Sequence, residues 1–281
     1  MNELAEQIEP RRCVGEGCAE VTFAHGADRT ILTHLRAQSP LRLLTPRTMH
    51  PSAWVYTSTF GGGMLAGDRY RVRLTAENGA VGFVGTQSSN KVYRSDSGAD
   101  ASCVTDIRVR RGATLIVAPD PLVCFAGARY AQKISCDLAA DGGLVLLDWY
   151  TSGRMARGEV WSFNRLSSCI SIHVDGRLRL YDPLLIERGT AGPFCHGAFN
   201  SFGTLIIAGQ QLAAAAHALH ERIAKQAIAP RGRVLVSCSP FAHGVVLRLA
   251  AVQTYDASLA MQDYLSFLPP ILGEHPWARR L

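Results

Sequence analysis

The sequence lacks the features that mark several large classes of protein. Its eight cysteines are far apart and form neither a C-x-x-C pair nor a disulfide framework. The 29 lysine and arginine residues outnumber the 23 acidic residues, but they form no basic stripe of the kind that nucleic-acid binders show. The most apolar late stretch, residues 205–219, is broken by Gln210, Gln211 and His217. We therefore expect no nucleic-acid partner and no membrane span, whereas the net charge of +6 suits an acidic protein partner.

Targeting and catalytic motifs are also missing. The N-terminal MNELAEQIEPRR carries charges of both signs and lacks the apolar core of a signal peptide, which favours a reduced, cytoplasmic protein. No G-x-S-x-G, H-E-x-x-H or paired-carboxylate spacing appears. His217 and His220 are three residues apart, yet no third ligand lies near them in sequence. The residues thus give no reason to expect an enzyme or a tightly bound cofactor.

What the sequence does contain is an alternation of apolar and polar residues through much of residues 20–200. In RYRVRLTA, Tyr70, Val72 and Leu74 share one face of a strand, while three arginines share the other. No strong helical periodicity interrupts this region, which predicts a mainly β body. Without a linker or low-complexity stretch, residues 1–281 are predicted to form a single domain.

A weak internal repeat runs through the same region. A polar residue and a glycine precede a short apolar strand four times, and the intervals between the glycines are 33, 30 and 34 residues. The glycines are Gly79, Gly112, Gly142 and Gly176. A near-fixed period indicates stacked, β-helix-like coils, and an antiparallel sandwich with evenly spaced hairpins is the alternative.

The last third, residues 201–281, is predicted to hold two helices and closing strands. Residues 212–227 carry an apolar stripe at helical spacing. A second helix is predicted over residues 256–267, with Asp256 as its N-cap and Pro269 and Pro270 ending it.

The stretch FGGGMLAGDRY, residues 60–70, raises the question of phosphate binding because glycine-rich loops often hold nucleotides. Such loops connect a strand to a helix, whereas this one leads into the strand RYRVRL. Asp68 also occupies the position where a Walker A motif needs lysine. We therefore interpret the loop as a tight connection between two strands, which requires positive φ or close backbone approach.

Two further stretches, VCFAGARYAQK and TSGRMARGEVWSFNRL, mix glycine, arginine and aromatic residues at expected strand ends. Arginine and aromatic side chains are enriched at interface hot spots, so these stretches are candidates for partner recognition. Turns with solvated charges are the alternative. The candidate interface residues are Phe125, Arg129, Tyr130, Arg154, Arg157, Trp161 and Arg165.

Five motifs in order resemble the urease accessory protein UreD (UreH) family. They are PLRLLTPR (40–47), GGGMLAGDRY (61–70), TQSSNKVYRS (86–95), PDPLVCFAGARYAQK (119–133) and GRMARGEVWSFNRL (153–166). The similarity covers residues 40–190, and the closing ILGEHPW also resembles the family's ending. Residues 56–58 depart from the pattern, because many members carry an asparagine there.

The resemblance implies a scaffold in urease maturation rather than an enzyme. UreD-like proteins bind a UreF-like partner, which recruits the GTPase UreG, and the assembly docks on apo-urease to supply nickel. The family fold is largely β, with helically stacked strands and two helices, which favours the stacked coils over the sandwich. A β-helical carbohydrate-active enzyme and a β-rich binding module are the alternative functions.

An internal passage that guides nickel is also implied by the resemblance. A conduit must hold Ni²⁺ weakly, so isolated carboxylates suit it better than a closed cage of histidine and cysteine. Motif matching nominates Asp68, Asp148 and Glu159 for this transient nickel path, and a structural ion pair is the alternative for each.

Overall fold

The computed structural model describes residues 17–47, 50–189, 197–227, 229 and 231–278. Strands dominate these residues, and they form two sheets. In chain order the strands are β1 (Gly17–His25), β2 (Thr30–Gln38), β3 (Leu41–Leu44), β4 (Ala53–Thr59), β5 (Arg69–Ala76), β6 (Val81–Thr86), β7 (Lys91–Val92), β8 (Ala101–Val109), β9 (Thr114–Val117), β10 (Leu122–Cys124), β11 (Arg129–Leu138), β12 (Gly143–Thr151), β13 (Arg165–Val174), β14 (Arg177–Glu187), β15 (Ser201–Ala208), β16 (Val234–Phe241) and β17 (Gly244–Ala251).

The first sheet, sheet A, has seven strands in the order β14-β13-β11-β8-β5-β1-β2. Its five central strands run parallel from β13 to β1, and the two outer strands pair antiparallel. The second sheet, sheet B, has ten strands, eight of them in the order β16-β17-β15-β12-β9-β6-β4-β3. Strands β4, β6, β9 and β12 run parallel, and the short β7 and β10 extend the sheet beside β12.

Successive coils build both sheets together, which confirms the prediction of a mainly β, stacked-coil fold. Three coils pass from sheet A to sheet B through four-residue corners, as β5-β6, β8-β9 and β11-β12. Gly79 and Gly112 have φ values of 70° and 64° at two of these corners, in the region where a side chain is disfavoured. The period of the glycines in the sequence is therefore the period of the coils.

The fourth glycine of the repeat has a different role. Gly176, with φ 72°, follows Asp175, with φ 47°, in the turn between β13 and β14. These two strands pair antiparallel within sheet A, so the turn closes a hairpin and ends the coil pattern.

The four long connections that join successive coils lie at the other end, which we call the loop end. They return the chain from sheet B to sheet A and span residues 60–68, 87–100, 118–128 and 152–164. Because the strands within each stack are parallel, their equivalent ends meet at one edge, and the four loops lie beside one another. Backbone hydrogen bonds join them, including Met64 N–H to Lys91 O at 2.8 Å and Gly127 N–H to Ser162 O at 2.9 Å.

Three α-helices follow in the C-terminal part: α1 (Ala213–Ala224), α2 (Thr254–Tyr264) and α3 (Leu268–Leu272). The predicted second helix was wrong in its bounds, because Gln253 is the N-cap and Asp256 lies in the first turn. Pro269 and Pro270 do not act as a stop, since they lie in the first turn of α3, where proline leaves no hydrogen bond unmade. None of the helices in the described ranges is long and apolar enough to cross a membrane.

Two apolar layers hold the sheets and helices together. Between the sheets, Leu74, Ile107 and Ile170 of sheet A belong to the same buried cluster as Leu115 and Leu146 of sheet B. On the far side of sheet B, the three helices cover a second buried cluster. The alternating pattern of β12 serves both layers, because its successive side chains point to opposite faces.

Leu146→Ala provides a test of the layer between the sheets. Leu146 is 1% exposed, so its truncation removes apolar burial and leaves a cavity, and it should lower the free energy of unfolding by about 2–5 kcal/mol. Urea denaturation measures this change. Leu178→Ala is the matched control because Leu178 is 53% exposed, and its effect should stay within about 0.5 kcal/mol. Equal losses in the two variants would contradict the assignment of the core.

Candidate functional site

All five stretches that carry the family resemblance meet at the loop end. Four of them fall in the four long loops and the strand ends that flank them. The fifth, residues 40–47, joins them because β3 pairs with β4 and the Pro40 carbonyl accepts a hydrogen bond from Phe60 N–H at 2.9 Å. The fold thus assembles segments that are far apart in sequence into one surface.

The glycine loop is a strand-to-strand connection, as predicted. Gly61, Gly62 and Gly67 have φ values of 77°, 71° and 86°. A Cβ on Gly63 would come within 2.7 Å of the Lys91 carbonyl oxygen, so this glycine allows two loops to approach closely. The strand β5 begins at Arg69 directly after the loop, so the loop does not lead into a helix. The glycines therefore serve backbone geometry.

The side chain of Asp68 closes this loop by a hydrogen bond to the loop's backbone. Its Oδ2 accepts a hydrogen bond from Leu65 N–H at 2.8 Å, and the Tyr70 hydroxyl approaches the same oxygen at 3.4 Å. The side chain is half-buried at the rim of the loop end. Asp68 is thus held in place at the border between the surface and the interior.

Glu159 is fully engaged with its neighbours in the loop of residues 152–164. Arg154 Nε donates to Glu159 Oε2 at 2.9 Å, Arg154 Nη2 contacts Oε1, and Ala126 N–H donates to Oε2 at 3.1 Å. These hydrogen bonds, Arg154 first, lower the pKa of Glu159. Arg154 also covers the ring of Phe125 at 3.9 Å from its centroid. The arrangement ties the loop to the preceding coil.

Most of the other candidate interface residues also make contacts within the loop end. Arg129 Nε and Arg165 Nη1 donate to the two oxygens of Asp100, at 2.8 and 2.7 Å. Trp161, with φ 50°, is half-buried, and its Nε1–H donates to the Phe199 carbonyl at 3.2 Å. Arg157 is exposed. A role of these residues in partner binding stays a prediction.

Tyr130 does not lie on the surface that the sequence analysis expected. It is 4% exposed and belongs to the apolar cluster at the loop end of the core. The reason is its phase on β11, where it shares the inward face with Ile134 and Leu138, whereas Arg129 points outward. Tyr130 is therefore buried in this chain, and its predicted role in partner binding stays a prediction.

Behind the loop end, polar side chains form a row on the inward face of sheet A. The strand register sets Tyr70 opposite Cys103, Cys103 opposite Gln132, and Gln132 opposite Ser168. Asp148, on the inward face of β12, meets this row from sheet B. We call these five residues, Tyr70, Cys103, Gln132, Ser168 and Asp148, the interior polar row.

Asp148 is hydrogen-bonded at both of its oxygens. Gln132 Nε2 donates to Oδ1 at 2.8 Å, and Ser168 Oγ donates to Oδ2 at 2.9 Å. Burial raises the pKa of Asp148 above its usual range, and these two hydrogen bonds oppose the shift. Asp182, the nearby acid that adds to the shift, forms an ion pair with Arg248 at 2.5 Å between the two sheets.

The other titratable members of the row are uncharged near neutral pH. Burial raises the pKa of the Cys103 thiol to about 11, which keeps it protonated. Burial likewise raises the pKa of Tyr70. Asp148 is thus the only carboxylate of the row, and Asp68 is a second carboxylate at the rim.

The geometry separates the three nominated acids. Asp68 contacts Tyr70 at one end of the interior polar row, and Asp148 contacts Gln132 further along it. Glu159 lies in the adjacent loop and is occupied by Arg154. In the described part of the chain, no three histidine, cysteine or acidic side chains are placed to hold a metal ion together. His217 and His220 line a surface pocket of about 420 Å³ beside α1, far in sequence from the row.

Sequence reasoning missed Gln132, Ser168 and Cys103 as members of the site. The signal was present in the alternation: Gln132 has the phase of Ile134, and Ser168 that of Ile170, on strands whose inward positions are otherwise apolar. A polar residue in the apolar phase of a strand marks an interior polar group.

The fold and the site define a stacked-coil β protein whose loop end joins a polar row within the core. A model of the UreD urease accessory protein family matches residues 15–281. The chain is 36% identical to urease accessory protein UreD of Sorangium cellulosum, over 96% of this chain and 86% of that protein. It is 30% identical to urease accessory protein D of Arabidopsis thaliana, over 89% of this chain and 96% of that protein.

The chain belongs to the UreD family of urease accessory proteins. A role in the maturation of urease follows from this membership. The resemblance seen in the ordered motifs is therefore confirmed, and it extends well beyond residues 40–190.

Asp148→Asn should change how stability depends on pH. Because the pKa of Asp148 is raised in the folded protein, the folded state binds this proton more tightly than the unfolded state. The contribution of Asp148 to the free energy of unfolding therefore falls as pH rises from the ordinary aspartate pKa, about 3.9, through the raised pKa of the folded state. Relative to wild type, Asp148→Asn should gain stability over that window and level off above it.

Urea denaturation of the metal-free protein across this pH range measures the difference. Asp141→Asn, at an exposed coil corner, is the matched control. A difference between wild type and Asp148→Asn that stays constant with pH would contradict the burial argument.

Proposed function

We propose that this chain is a non-catalytic scaffold that passes nickel to apo-urease together with UreF-like and UreG-like partners. The observation that carries the proposal is the interior polar row, which begins beside Asp68 at the rim and reaches Asp148 within the core. Nickel is the cargo of such a protein. Its membership in the urease accessory family supplies the biological context for that cargo.

The chemistry of the row supports transient rather than lasting contact with Ni²⁺. Ni²⁺ accepts oxygen, nitrogen and sulfur ligands, and a site with several of them would retain it. Here a single carboxylate, Asp148, accepts hydrogen bonds from a neutral amide and a neutral hydroxyl. One charge attracts the cation into the core, while the small number of ligands lets it leave again.

The loop end supports the proposal of partner binding. Four large apolar side chains are 41–60% exposed there, and they are Phe60, Leu65, Met155 and Val160. The exposed Arg157 lies among them in the loop that carries Met155. An apolar surface with arginine at its border has the composition of a protein interface. Its location beside Asp68 would place a docked partner at the entrance to the row.

Removing the interior charge should reduce nickel transfer without loss of the complex. We expect Asp148→Asn to lower the nickel content of co-produced urease roughly tenfold, the effect of losing about 1.4 kcal/mol of attraction for the cation. Metal analysis of purified urease measures it, and co-purification of the partners shows whether the complex still forms.

Asp141→Asn is the control, because Asp141 lies at a coil corner of the opposite end. Asp68→Asn and Glu159→Gln separate the two remaining acids. If only Asp68→Asn lowers the nickel content of urease, the result favours a path along the row. If Glu159→Gln also lowers it while the complex stays intact, the path extends to the loop of residues 152–164. Normal urease nickel in Asp148→Asn would refute the path through the core.

Changes at the loop end should instead weaken the complex. Met155→Ser combined with Arg157→Glu removes an exposed apolar contact and reverses a charge, so we expect at least about a thirtyfold loss of partner affinity, near 2 kcal/mol. Titration of the purified partner by calorimetry measures the affinity.

Leu178→Ser is the matched surface control, since Leu178 is 53% exposed beside the turn between β13 and β14, at the opposite end of the coils. Unchanged affinity in the Met155/Arg157 variant, or an equal loss in the control, would argue against the loop end as the docking surface.

A further inference from the structure

Tyr130 joins the interior polar row from the side through Gln132. Its hydroxyl donates to Gln132 Oε1 at 3.2 Å. On its other side, Gln132 Nε2 donates to Asp148 Oδ1 at 2.8 Å and to Ser168 Oγ at 2.9 Å. The Gln132 amide is thus bound at its oxygen and at both of its hydrogens.

The orientation of this amide follows from which of its neighbours can donate a hydrogen bond and which can only accept one. Gln132 Nε2 lies 2.8 Å from Asp148 Oδ1, and the ionised form of a carboxylate can only accept, so the amide nitrogen faces Asp148. Ser168 has a single proton, which it donates to Asp148, so its oxygen is left to accept from Gln132. Tyr130 supplies the proton that the amide oxygen needs. Each of the four groups fixes the next, and rotating the amide would break three hydrogen bonds.

From this network we infer that Tyr130 is a positioning residue that keeps the amide oxygen of Gln132 turned away from Asp148, so that Asp148 cannot trap a divalent cation. The inference rests on the proposed passage of nickel along the row. With the amide rotated, its oxygen would lie beside the Asp148 carboxylate and the Ser168 hydroxyl. Three oxygen ligands in one place form a binding site rather than a passing contact.

Tyr130→Phe tests this role because it removes only the hydroxyl. The interior position of the ring is kept, and the amide oxygen of Gln132 loses its donor, so rotation of the amide then breaks two hydrogen bonds instead of three. We expect the variant to bind Ni²⁺ roughly tenfold more tightly than wild type, the lower end of the effect that outer partners of a ligand have on metal affinity. It should also deliver less nickel to urease. A merely structural defect would not tighten binding.

Equilibrium dialysis of the full chain against NiCl₂, followed by metal analysis, measures the affinity directly. The double variant Tyr130→Phe with Gln132→Leu lacks the amide oxygen and should lose the gain. Gln132→Glu, which presents an oxygen to Asp148 in either orientation, should bind Ni²⁺ tightly whether or not Tyr130→Phe folds. Tyr264→Phe is the matched control, since Tyr264 is 6% exposed beneath the helices and belongs to another cluster.

The outcomes distinguish this inference from the proposed function. If Asp148→Asn lowers urease nickel but Tyr130→Phe and Gln132→Glu bind Ni²⁺ as wild type does, the positioning role is wrong and the passage stands. If Tyr130→Phe binds Ni²⁺ more tightly and the double variant keeps this higher affinity, the positioning role of Tyr130 is also wrong. If Asp148→Asn leaves urease nickel unchanged, the proposed passage itself fails.

Discussion

Parallel pairing of successive coils places Gln132 beside Ser168 and Tyr70 beside Cys103, and much of the chemistry of this chain depends on it. In a parallel stack, residues at equivalent positions of neighbouring strands lie in register on the same face. A polar residue that recurs at one position therefore becomes a row across the sheet. The same pairing brings the long loops together at one end, so the row and the loop surface have one cause.

A polar row inside an apolar core is stable only when its members satisfy one another. The groups of the interior polar row that face Asp148 do so with hydrogen bonds of 2.8–2.9 Å, and an unmet buried donor would cost about 1–3 kcal/mol. This requirement also restricts charge, because burial disfavours the ionised form of each group. Asp148 is the one carboxylate of the row, and the hydrogen bonds from Gln132 and Ser168 oppose the effect of burial on its pKa.

Much of the fold could be predicted from the sequence because its rules are local. Alternation gave the strands, and the glycines of the repeat gave the coil corners, since positive φ at Gly79 and Gly112 is a property of single residues. The hairpin at Gly176 could not be separated from a corner in this way. A turn with glycine can form a corner between the sheets or a hairpin within one sheet, and the antiparallel pairing of β13 with β14 shows that it is a hairpin. The third helix was missed because proline ends a helix from inside but is accepted in its first turn.

The candidate site was less predictable, and the case of Tyr130 shows why. Its neighbours Arg129 and Phe125 suggested a recognition surface, but adjacent residues of a strand face opposite ways. The composition of a segment indicates that the segment lies at the loop end. Whether a given side chain in it is exposed or buried depends on the face of the strand on which that residue lies. Tyr130 and Gln132 share the inward phase, so the interior network was encoded in the alternation already used to find β11.

Glu159 illustrates the complementary limit. Its motif nominated it for nickel no less than Asp148, yet its partners differ in kind: Arg154 neutralises Glu159, while only neutral groups hydrogen-bond Asp148. A carboxylate paired with arginine offers a cation little attraction unless the pair opens, because the guanidinium is always charged. Which acids can attract a cation is therefore decided by the charge of their nearest partners, and that is a property of the folded chain rather than of any motif.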